Sequence, residues 1–223
     1  MLPALEIETS PQPDAAVILL HGLGADGNDF GPIVSELKLP PNAAIRFIFP
    51  HAPAIPVTIN RNYVMPAWYD ITSIDIDRTI DAGQLRASAE QIAAFVDREV
   101  TRGIPPERIV IAGFSQGGAV AYELAASDER VFAGLLVLSS YFATQQDAQW
   151  RRLKDKCQHM PVMIMHGQAD NIVSESLGRS ACKILCDLGL QVSYKTYPVG
   201  HSVHPRQIEE ISKWLQTILP VRS

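Results

Sequence analysis

Cysteine is scarce in this sequence, and long apolar runs are missing. The three cysteines, Cys157, Cys182 and Cys186, form no Cys-x-x-Cys pair, and an odd number cannot pair completely within one chain. We therefore expect reduced, buried thiols and no metal site. No apolar run approaches the roughly 18 residues of a membrane-spanning helix, so no membrane span is predicted.

Basic residues are also few. The sequence has 19 Lys and Arg against 24 Asp and Glu, a formal net charge of -5, and its basic residues do not cluster. Such a surface does not attract nucleic acid or an anionic membrane. The first basic residue is Lys38, so the basic start of a secretory signal is missing. We expect a cytoplasmic protein that binds no nucleic acid and has no stable membrane anchor.

The 223 residues are 47% hydrophobic and 19% charged, which is typical of a globular protein. This length fits one domain, and we expect a single domain over residues 1–223. Short apolar runs predict seven strands at residues 5–9, 15–20, 45–49, 109–112, 133–138, 161–165 and 191–197. Amphipathic segments predict helices near 33–37 and over 82–101, 119–126, 174–188 and about 208–219.

This alternation of strands and helices predicts an α/β fold, with a mostly parallel seven-stranded sheet and helices on both faces. Ligands of such sheets bind at the carboxyl ends of the strands. Residues 50–81 interrupt the alternation with four prolines and no helical period. Their aromatic and apolar content predicts an ordered loop that covers a site, with a short lid at about 65–80.

The segment Gly113-Phe114-Ser115-Gln116-Gly117 lies between a predicted strand and a predicted helix. A Gly-x-Ser-x-Gly segment in this position is typical of a nucleophile elbow, which holds a serine above the carboxyl end of the sheet. Glycines are needed because side chains at these two positions would collide within the sharp turn. The pattern predicts that Ser115 is a nucleophile.

A serine attacks well only when a histidine can accept its proton and an acid orients that histidine. After such an elbow, the acid and then the histidine follow along the chain. We predict His201 as the base, because it follows the last strand in a loop with Gly200, and Asp170 as the acid, on a turn after strand 161–165. The less well placed candidates are His159, His166 and His204 for the base and Asp147, Asp155 and Asp187 for the acid.

Acyl transfer also needs two N–H donors that stabilise the negative oxygen of the transition state. The first donor is predicted to be the backbone N–H of Gln116, the residue after the nucleophile. The second is predicted to be the backbone N–H of Leu23, in the glycine-rich loop after strand 15–20. We expect the side chains of both residues to be dispensable for this task. A phosphate-binding role for the loop is also conceivable, but the lysine and spacing of a P-loop are absent.

Six motifs spread over nearly the whole chain occur together. They are His21-Gly22-Leu23-Gly24-Ala25-Asp26-Gly27-Asn28-Asp29-Phe30, Pro50-His51-Ala52-Pro53, Met65-Pro66-Ala67-Trp68-Tyr69-Asp70, Gly113-Phe114-Ser115-Gln116-Gly117-Gly118, His166-Gly167-Gln168-Ala169-Asp170 and Gly200-His201-Ser202. In combination they resemble the carboxylesterase, phospholipase and acyl-protein thioesterase family. The resemblance implies a minimal α/β-hydrolase fold without a large cap domain, a triad of Ser115, Asp170 and His201, and the Leu23 and Gln116 amides as the oxyanion hole.

The resemblance further implies a small-molecule ester or acyl substrate, a lid over an acyl-binding groove, and no cofactor. We expect Trp68, Ile71, Ile74 and Val173 to contact the acyl group, although core packing explains each of them equally well. The chain begins Met1-Leu2-Pro3 and lacks the N-terminal cysteine that is palmitoylated in some eukaryotic members.

The main functional expectation is a serine hydrolase that cleaves carboxylic esters or thioesters through an acyl-enzyme. The alternatives are a lysophospholipase or protein-depalmitoylating thioesterase and, from another class, a non-catalytic ligand receptor on a hydrolase fold. An apolar rim around the lid also allows a homodimer.

Overall fold

The computed structural model describes residues 1–73, 79–144 and 160–221. Its strands are β1 (Ala4–Glu8), β2 (Ala15–Leu20), β3 (Ile45–Pro50), β4 (Ala54–Val57), β5 (Tyr63–Pro66), β6 (Ile71–Ser73), β7 (Thr79–Ile80), β8 (Ile109–Phe114), β9 (Gly134–Leu138), β10 (Val162–Gly167) and β11 (Val192–Tyr197). Its α-helices are α1 (Ile33–Glu36), α2 (Ala82–Thr101), α3 (Gln116–Ser127), α4 (Glu175–Asp187) and α5 (Pro205–Ile218).

Seven of the described strands form one sheet in the order β1-β3-β2-β8-β9-β10-β11. Strand β1 pairs antiparallel with β3, and the other pairs are parallel. The predicted fold class is confirmed, because all seven predicted strands lie in this sheet. The parallel strands end at one edge, which brings the loops after β2, β8, β10 and β11 together.

Apolar side chains cover both faces of the sheet. Strand β2 shows this division, since Ile18 belongs to one core cluster and Val17 to the other. Helices α2, α3 and α4 pack on the first face, and α1 and α5 on the second. Continuous apolar strands are expected in a sheet that is buried on both sides, where alternation would place polar groups in a core.

Residues 50–81 contain more regular structure than the sequence suggested. Strands β4 and β5 form one small antiparallel hairpin, and β6 and β7 form another. The segment between these hairpins is anchored in the core, where Trp68 and Tyr69 are almost completely buried. Within the predicted lid at about 65–80, the part around Trp68 and Tyr69 is a core segment, and residues 74–78 lie outside the described residues. The lid itself stays a prediction.

Some boundaries also differ from the prediction. Helix α3 begins at Gln116 and not at residue 119, because close packing of Gly117 and Gly118 outweighs the low helix propensity of glycine. Cys186 is exposed and Cys182 only partly buried, which corrects the expectation of buried thiols for these two cysteines. Cys157 lies outside the described residues. Within the described ranges, none of the helices combines the length and apolar character that a membrane crossing requires.

Candidate active site

Ser115 lies in the strained turn between β8 and α3. Its backbone adopts φ 54° and ψ -119°, a conformation that is unfavourable for a residue with a Cβ atom. The turn is tight, since a Cβ atom on Gly113 would lie 2.3 Å from the carbonyl oxygen of Gly117. The glycine spacing of the motif therefore has a direct steric cause, and the turn presents Ser115 at the start of α3.

His201 and Asp170 lie beside this serine. The Oγ of Ser115 is 2.9 Å from Nε2 of His201, and Nδ1 of His201 is 2.7 Å from Oδ2 of Asp170. A carboxylate can only accept, so Nδ1–H of the imidazole donates to Asp170 and Nε2 is free to accept the serine proton. The ring of Phe114 packs against His201 with 4.8 Å between ring centroids. The imidazole is thereby held in both orientation and tautomer.

Backbone donors hold the carboxylate of Asp170 in turn. Its Oδ1 accepts the N–H groups of Ile172 at 3.0 Å and of Val173 at 2.8 Å. Val173 is fully buried, so its expected contact with the acyl group is corrected to a contact with Asp170. Two oxygens with separate partners fix the carboxylate plane, which points Oδ2 at His201.

His166 is fully buried behind this turn. Its Nε2–H donates to the carbonyl oxygen of Val173 at 2.8 Å, and Nε2 lies 3.6 Å from Oδ2 of Asp170. Burial lowers the pKa of His166, which keeps the ring neutral. The ring therefore supports the turn that carries the acid.

Of the other histidine candidates, His204 is the N-cap of α5, where Nδ1 accepts the N–H of Arg206 at 3.1 Å. His159 lies outside the described residues, as do Asp147 and Asp155. Asp187 is paired with Lys183 on the surface of α4. Among the described candidates, only His201 and Asp170 are therefore close to Ser115.

The loop after β2 lies against the elbow. A Cβ atom on Gly22 would come within 3.4 Å of the Ser115 Cβ, so the backbone of this loop approaches the serine closely. Within the described residues, the N–H groups of Leu23 and Gln116 donate to no protein acceptor. Both residues line the same cleft as Ser115. The two amides are therefore available to a bound substrate.

Buried His21 orders this loop. Its Nε2 accepts the N–H of Ala52 at 3.1 Å, and its Nδ1–H donates to the carbonyl oxygen of Gly22 at 2.8 Å. Desolvation lowers the pKa of His21, which stabilises the neutral ring that this bonding pattern needs. The indole N–H of Trp68 donates to the carbonyl oxygen of His21 at 2.9 Å. Trp68 therefore holds the loop from behind.

The side chain of Gln116 is more important than the sequence suggested. Its Oε1 accepts the N–H of Trp68 at 2.9 Å, and its Nε2 donates to the carbonyl oxygen of Tyr69 at 2.7 Å. All of these groups are buried. The expectation of a dispensable side chain concerned only oxyanion donation and stays a prediction. The side chain has a separate structural role, because it ties the segment between the two hairpins to α3.

A cleft of about 530 Å³ opens beside Ser115. Of the four residues expected to contact the acyl group, Ile71 lines the cleft, whereas Trp68 and Val173 are buried behind it. The expected acyl contact of Trp68 is corrected for the same reason as that of Val173, because its side chain is buried in the core and bonds to His21. Ile74 lies outside the described residues.

Sequence reasoning missed several residues that line this cleft. They are Phe30, Ile59, Asn60, Phe114, Tyr141, Asn171 and Ile172. Phe114, Asn171 and Ile172 are chain neighbours of Ser115 and Asp170, and that adjacency was the available signal. Ile59 and Tyr141 carried no such signal, because neither belongs to one of the six motifs and each reaches the cleft only through the tertiary fold.

Within the described ranges, no group of three His, Cys, Asp or Glu is arranged to hold a metal ion.

Comparisons with known proteins agree with this architecture. Residues 3–219 match the phospholipase/carboxylesterase family. An acyl-protein thioesterase 1 from Gibberella zeae is 34% identical over 98% of this chain and 97% of its own length. A probable carboxylesterase from Oryza sativa subsp. japonica is 31% identical over 98% of this chain and 83% of its own.

The structural comparison supports the same fold. The crystal structure of acyl-protein thioesterase 2 from Zea mays superposes with a TM-score of 0.84, covering 98% of this chain and 100% of that one at 24% identity. The family match spans nearly the whole chain, and the seven-stranded sheet without a large cap agrees with it. The chain therefore belongs to the phospholipase/carboxylesterase family of α/β-hydrolases and is a serine hydrolase.

Proposed function

We propose that Ser115, His201 and Asp170 form a catalytic triad that cleaves carboxylic esters or thioesters through an acyl-enzyme. The observation that carries this proposal is the continuous hydrogen-bonded chain of 2.9 Å and 2.7 Å from Ser115 through His201 to Asp170. In the first step, His201 Nε2 takes the serine proton as Oγ attacks the carbonyl carbon. Asp170 stabilises the imidazolium that forms.

The substrate oxygen becomes negative in this step. The N–H groups of Leu23 and Gln116 are the proposed donors to it, and such donors typically contribute about 2.7 to 4 kcal/mol each. His201 then gives its proton to the leaving alcohol or thiol, which leaves the acyl group on Ser115. Water, activated by the same imidazole, attacks this ester and releases the acid.

The cleft supports an acyl chain as the part of the substrate that is recognised. Its wall is apolar around Ile59, Ile71 and Tyr141, while Asn60 and Asn171 add polar groups. An apolar wall with few polar groups suits a hydrocarbon chain that ends at a reactive carbonyl. The similarity to acyl-protein thioesterase 1 of Gibberella zeae adds thioesters of acylated proteins to the proposed substrate class. Lysophospholipids are the second candidate class. A non-catalytic receptor is no longer supported, because the chain is an enzyme of this family.

The decisive test of the mechanism is Ser115→Ala. We expect this variant to fold, to lose turnover of p-nitrophenyl butyrate, and to lose covalent labelling by a fluorophosphonate. Ser127→Ala, which removes an exposed hydroxyl at the end of the same helix, is the matched control and should behave as the wild type. Turnover or labelling that persists in a folded Ser115→Ala protein would refute the triad.

A chain-length series separates the substrate classes. The substrates are p-nitrophenyl esters and acyl thioesters with acyl chains of four to sixteen carbons. We expect kcat/KM to peak at the same chain length in both series, because the acyl chain determines binding. A lysophosphatidylcholine that is cleaved faster than the thioester of the same chain length would instead favour the lysophospholipase alternative. Equal rates for all chain lengths would argue against the cleft as the acyl site.

We also propose a cytoplasmic location and a homodimer. The dimer proposal is supported by apolar groups exposed on the hairpin of β4 and β5, where Tyr63 is 68% and Val64 57% exposed. Sedimentation of the wild type and of the variant Tyr63→Ser tests it. A monomeric wild type would end the dimer proposal, and cell fractionation tests the location.

A further inference from the structure

A buried hydroxyl contacts the backbone of the nucleophile. Ser140, which follows β9, donates through Oγ–H to the carbonyl oxygen of Ser115 at 2.6 Å. The side chain fits beside α3 because position 118 is glycine. A Cβ atom on Gly118 would lie 2.5 Å from the Cβ and 2.6 Å from the Oγ of Ser140. Position 118 must therefore be glycine, because the Ser140 side chain occupies the space that a Cβ atom would need.

This contact bears on the amide of Gln116, because one peptide unit carries both the carbonyl of Ser115 and the N–H of Gln116. The unit is planar and trans, so its C=O and N–H point in opposite directions. A donor that holds the oxygen on the protein side therefore aims the N–H at the cleft. Hydrogen bonding at the oxygen also polarises the amide and strengthens its N–H as a donor.

The Ser115 oxygen accepts hydrogen bonds from α3 and from Ser140. The N–H groups of Gly118 at 3.0 Å and of Ala119 at 3.4 Å donate to it as the first bonds of α3, and the Ser140 hydroxyl donates to it at 2.6 Å. The helix bonds run along α3, while Ser140 approaches from the end of the neighbouring strand. The Ser140 bond therefore restrains the peptide from a second direction, and the helix bonds alone would leave it freer to rotate.

We propose that Ser140 is a positioning residue of the oxyanion hole, which orients and polarises the peptide between Ser115 and Gln116. The inference rests on the proposed acyl-transfer function. The proposal assigns Ser140 no contact with the substrate. Removal of the Ser140 hydroxyl should therefore reduce stabilisation of the transition state and leave substrate binding unchanged.

The test is Ser140→Ala. Loss of a complete oxyanion donor costs 10² to 10³ in kcat, so loss of a group that only orients the donor should cost about tenfold, with KM changed by less than about twofold. A trifluoromethyl ketone provides the specific readout. Ser115 Oγ adds to its carbonyl carbon, the serine proton passes to His201, and the ketone oxygen becomes the oxyanion. Its affinity should fall by the same factor as kcat/KM.

Ser139→Ala is the matched control. Ser139 is equally buried and adjacent, but its Oγ has no hydrogen-bond partner within the described residues, so kinetics and ketone affinity should remain those of the wild type. Ser140→Cys replaces the hydroxyl by a somewhat larger thiol that is a weaker donor, and it should fall between wild type and Ser140→Ala. It also serves as the test if Ser140→Ala fails to fold.

The outcomes separate the two proposals. If fluorophosphonate labels wild-type Ser115 while Ser140→Ala keeps full kcat and ketone affinity, only the role of Ser140 is refuted. If kcat falls but ketone affinity does not, Ser140 acts through general packing and its positioning role is again refuted. If the wild type is neither labelled nor active, the proposed acyl-transfer function itself is refuted.

Discussion

A Cβ atom on Gly117 would lie 2.4 Å from the carbonyl oxygen of Leu20. Leu20 ends β2, and Gly117 lies in the first turn of α3, so the helix rests directly on the end of the neighbouring strand. The glycine is required by this contact between distant parts of the chain as well as by the elbow itself.

Gly117→Ala should therefore destabilise the protein strongly. The added methyl group meets the backbone of Leu20 and His21, and we expect the free energy of unfolding in urea to fall by about 3 kcal/mol, with esterase activity falling in parallel. Gly189→Ala is the control, because φ is 87° there but no atom lies within 4 Å of the added Cβ. That variant should lose only about 1 kcal/mol and keep full kcat. Equal losses would contradict the steric explanation.

Gln116→Ala should destabilise the segment between the hairpins. It removes the acceptor of the buried Trp68 N–H and one donor to the buried carbonyl of Tyr69, and we expect a loss of about 2 to 4 kcal/mol by urea denaturation. Gln84→Ala is the matched control, because Gln84 accepts the N–H of Asp70 in the same way but is exposed. Its loss should stay below about 1 kcal/mol. A control loss equal to that of Gln116→Ala would show that burial is not the cause.

Buried His166 should make stability depend on pH. Its pKa is lowered by burial, which outweighs the attraction of Asp170 and Glu175, and nearby His201 lowers it further. The unfolded chain therefore takes up the proton first, so the stabilisation is present above about pH 6.5 and is lost as pH falls from there toward the folded-state pKa. The slope from one such group reaches about 1.4 kcal/mol per pH unit.

His166→Gln removes this titration while an amide N–H can still donate to Val173. We expect the urea-derived free energy of unfolding to fall less steeply between pH 6.5 and 5 than in the wild type. His21 should retain its own contribution in both proteins, since burial lowers the pKa of His21 as well. Identical pH slopes for variant and wild type would show that His166 does not contribute.

Asp170→Asn should lower kcat by about 10³ to 10⁴-fold. The amide oxygen can still accept the N–H groups of Ile172 and Val173, but its NH₂ group faces Nδ1 of His201 and favours the wrong tautomer. Steady-state kinetics with p-nitrophenyl butyrate measure the loss. Asp187→Asn, on the exposed surface of α4, should leave kcat unchanged. A folded Asp170→Asn protein within tenfold of wild type would remove Asp170 from the proposed triad.

Local patterns were sufficient to predict most elements. Strand β2 and helix α2 have the bounds that the sequence indicated, because a continuous apolar run and a 3.6-residue period depend on neighbouring residues alone. The proximity of Ser115, Asp170 and His201 was also expected, since parallel strands end at one edge. The roles of these residues stay proposals.

The surroundings of the site were less predictable. Trp68 looked like a substrate contact, but its partner His21 is 47 residues away in the chain, and no local pattern reveals such a bond. Tyr141 lies in none of the six motifs, yet it lines the cleft.

The amino-acid sequence by itself determined the order of strands and helices, the elbow, and the sequence positions of the serine, the acid and the histidine, because periodicity and motif spacing are properties of adjacent residues. Only the tertiary structure decided which side chains line the cleft, which ones support the loops from behind, and that Ser140 reaches the Ser115 carbonyl. These features depend on close contacts between segments that are distant in the chain, and the steric fit at such contacts is set by tertiary packing.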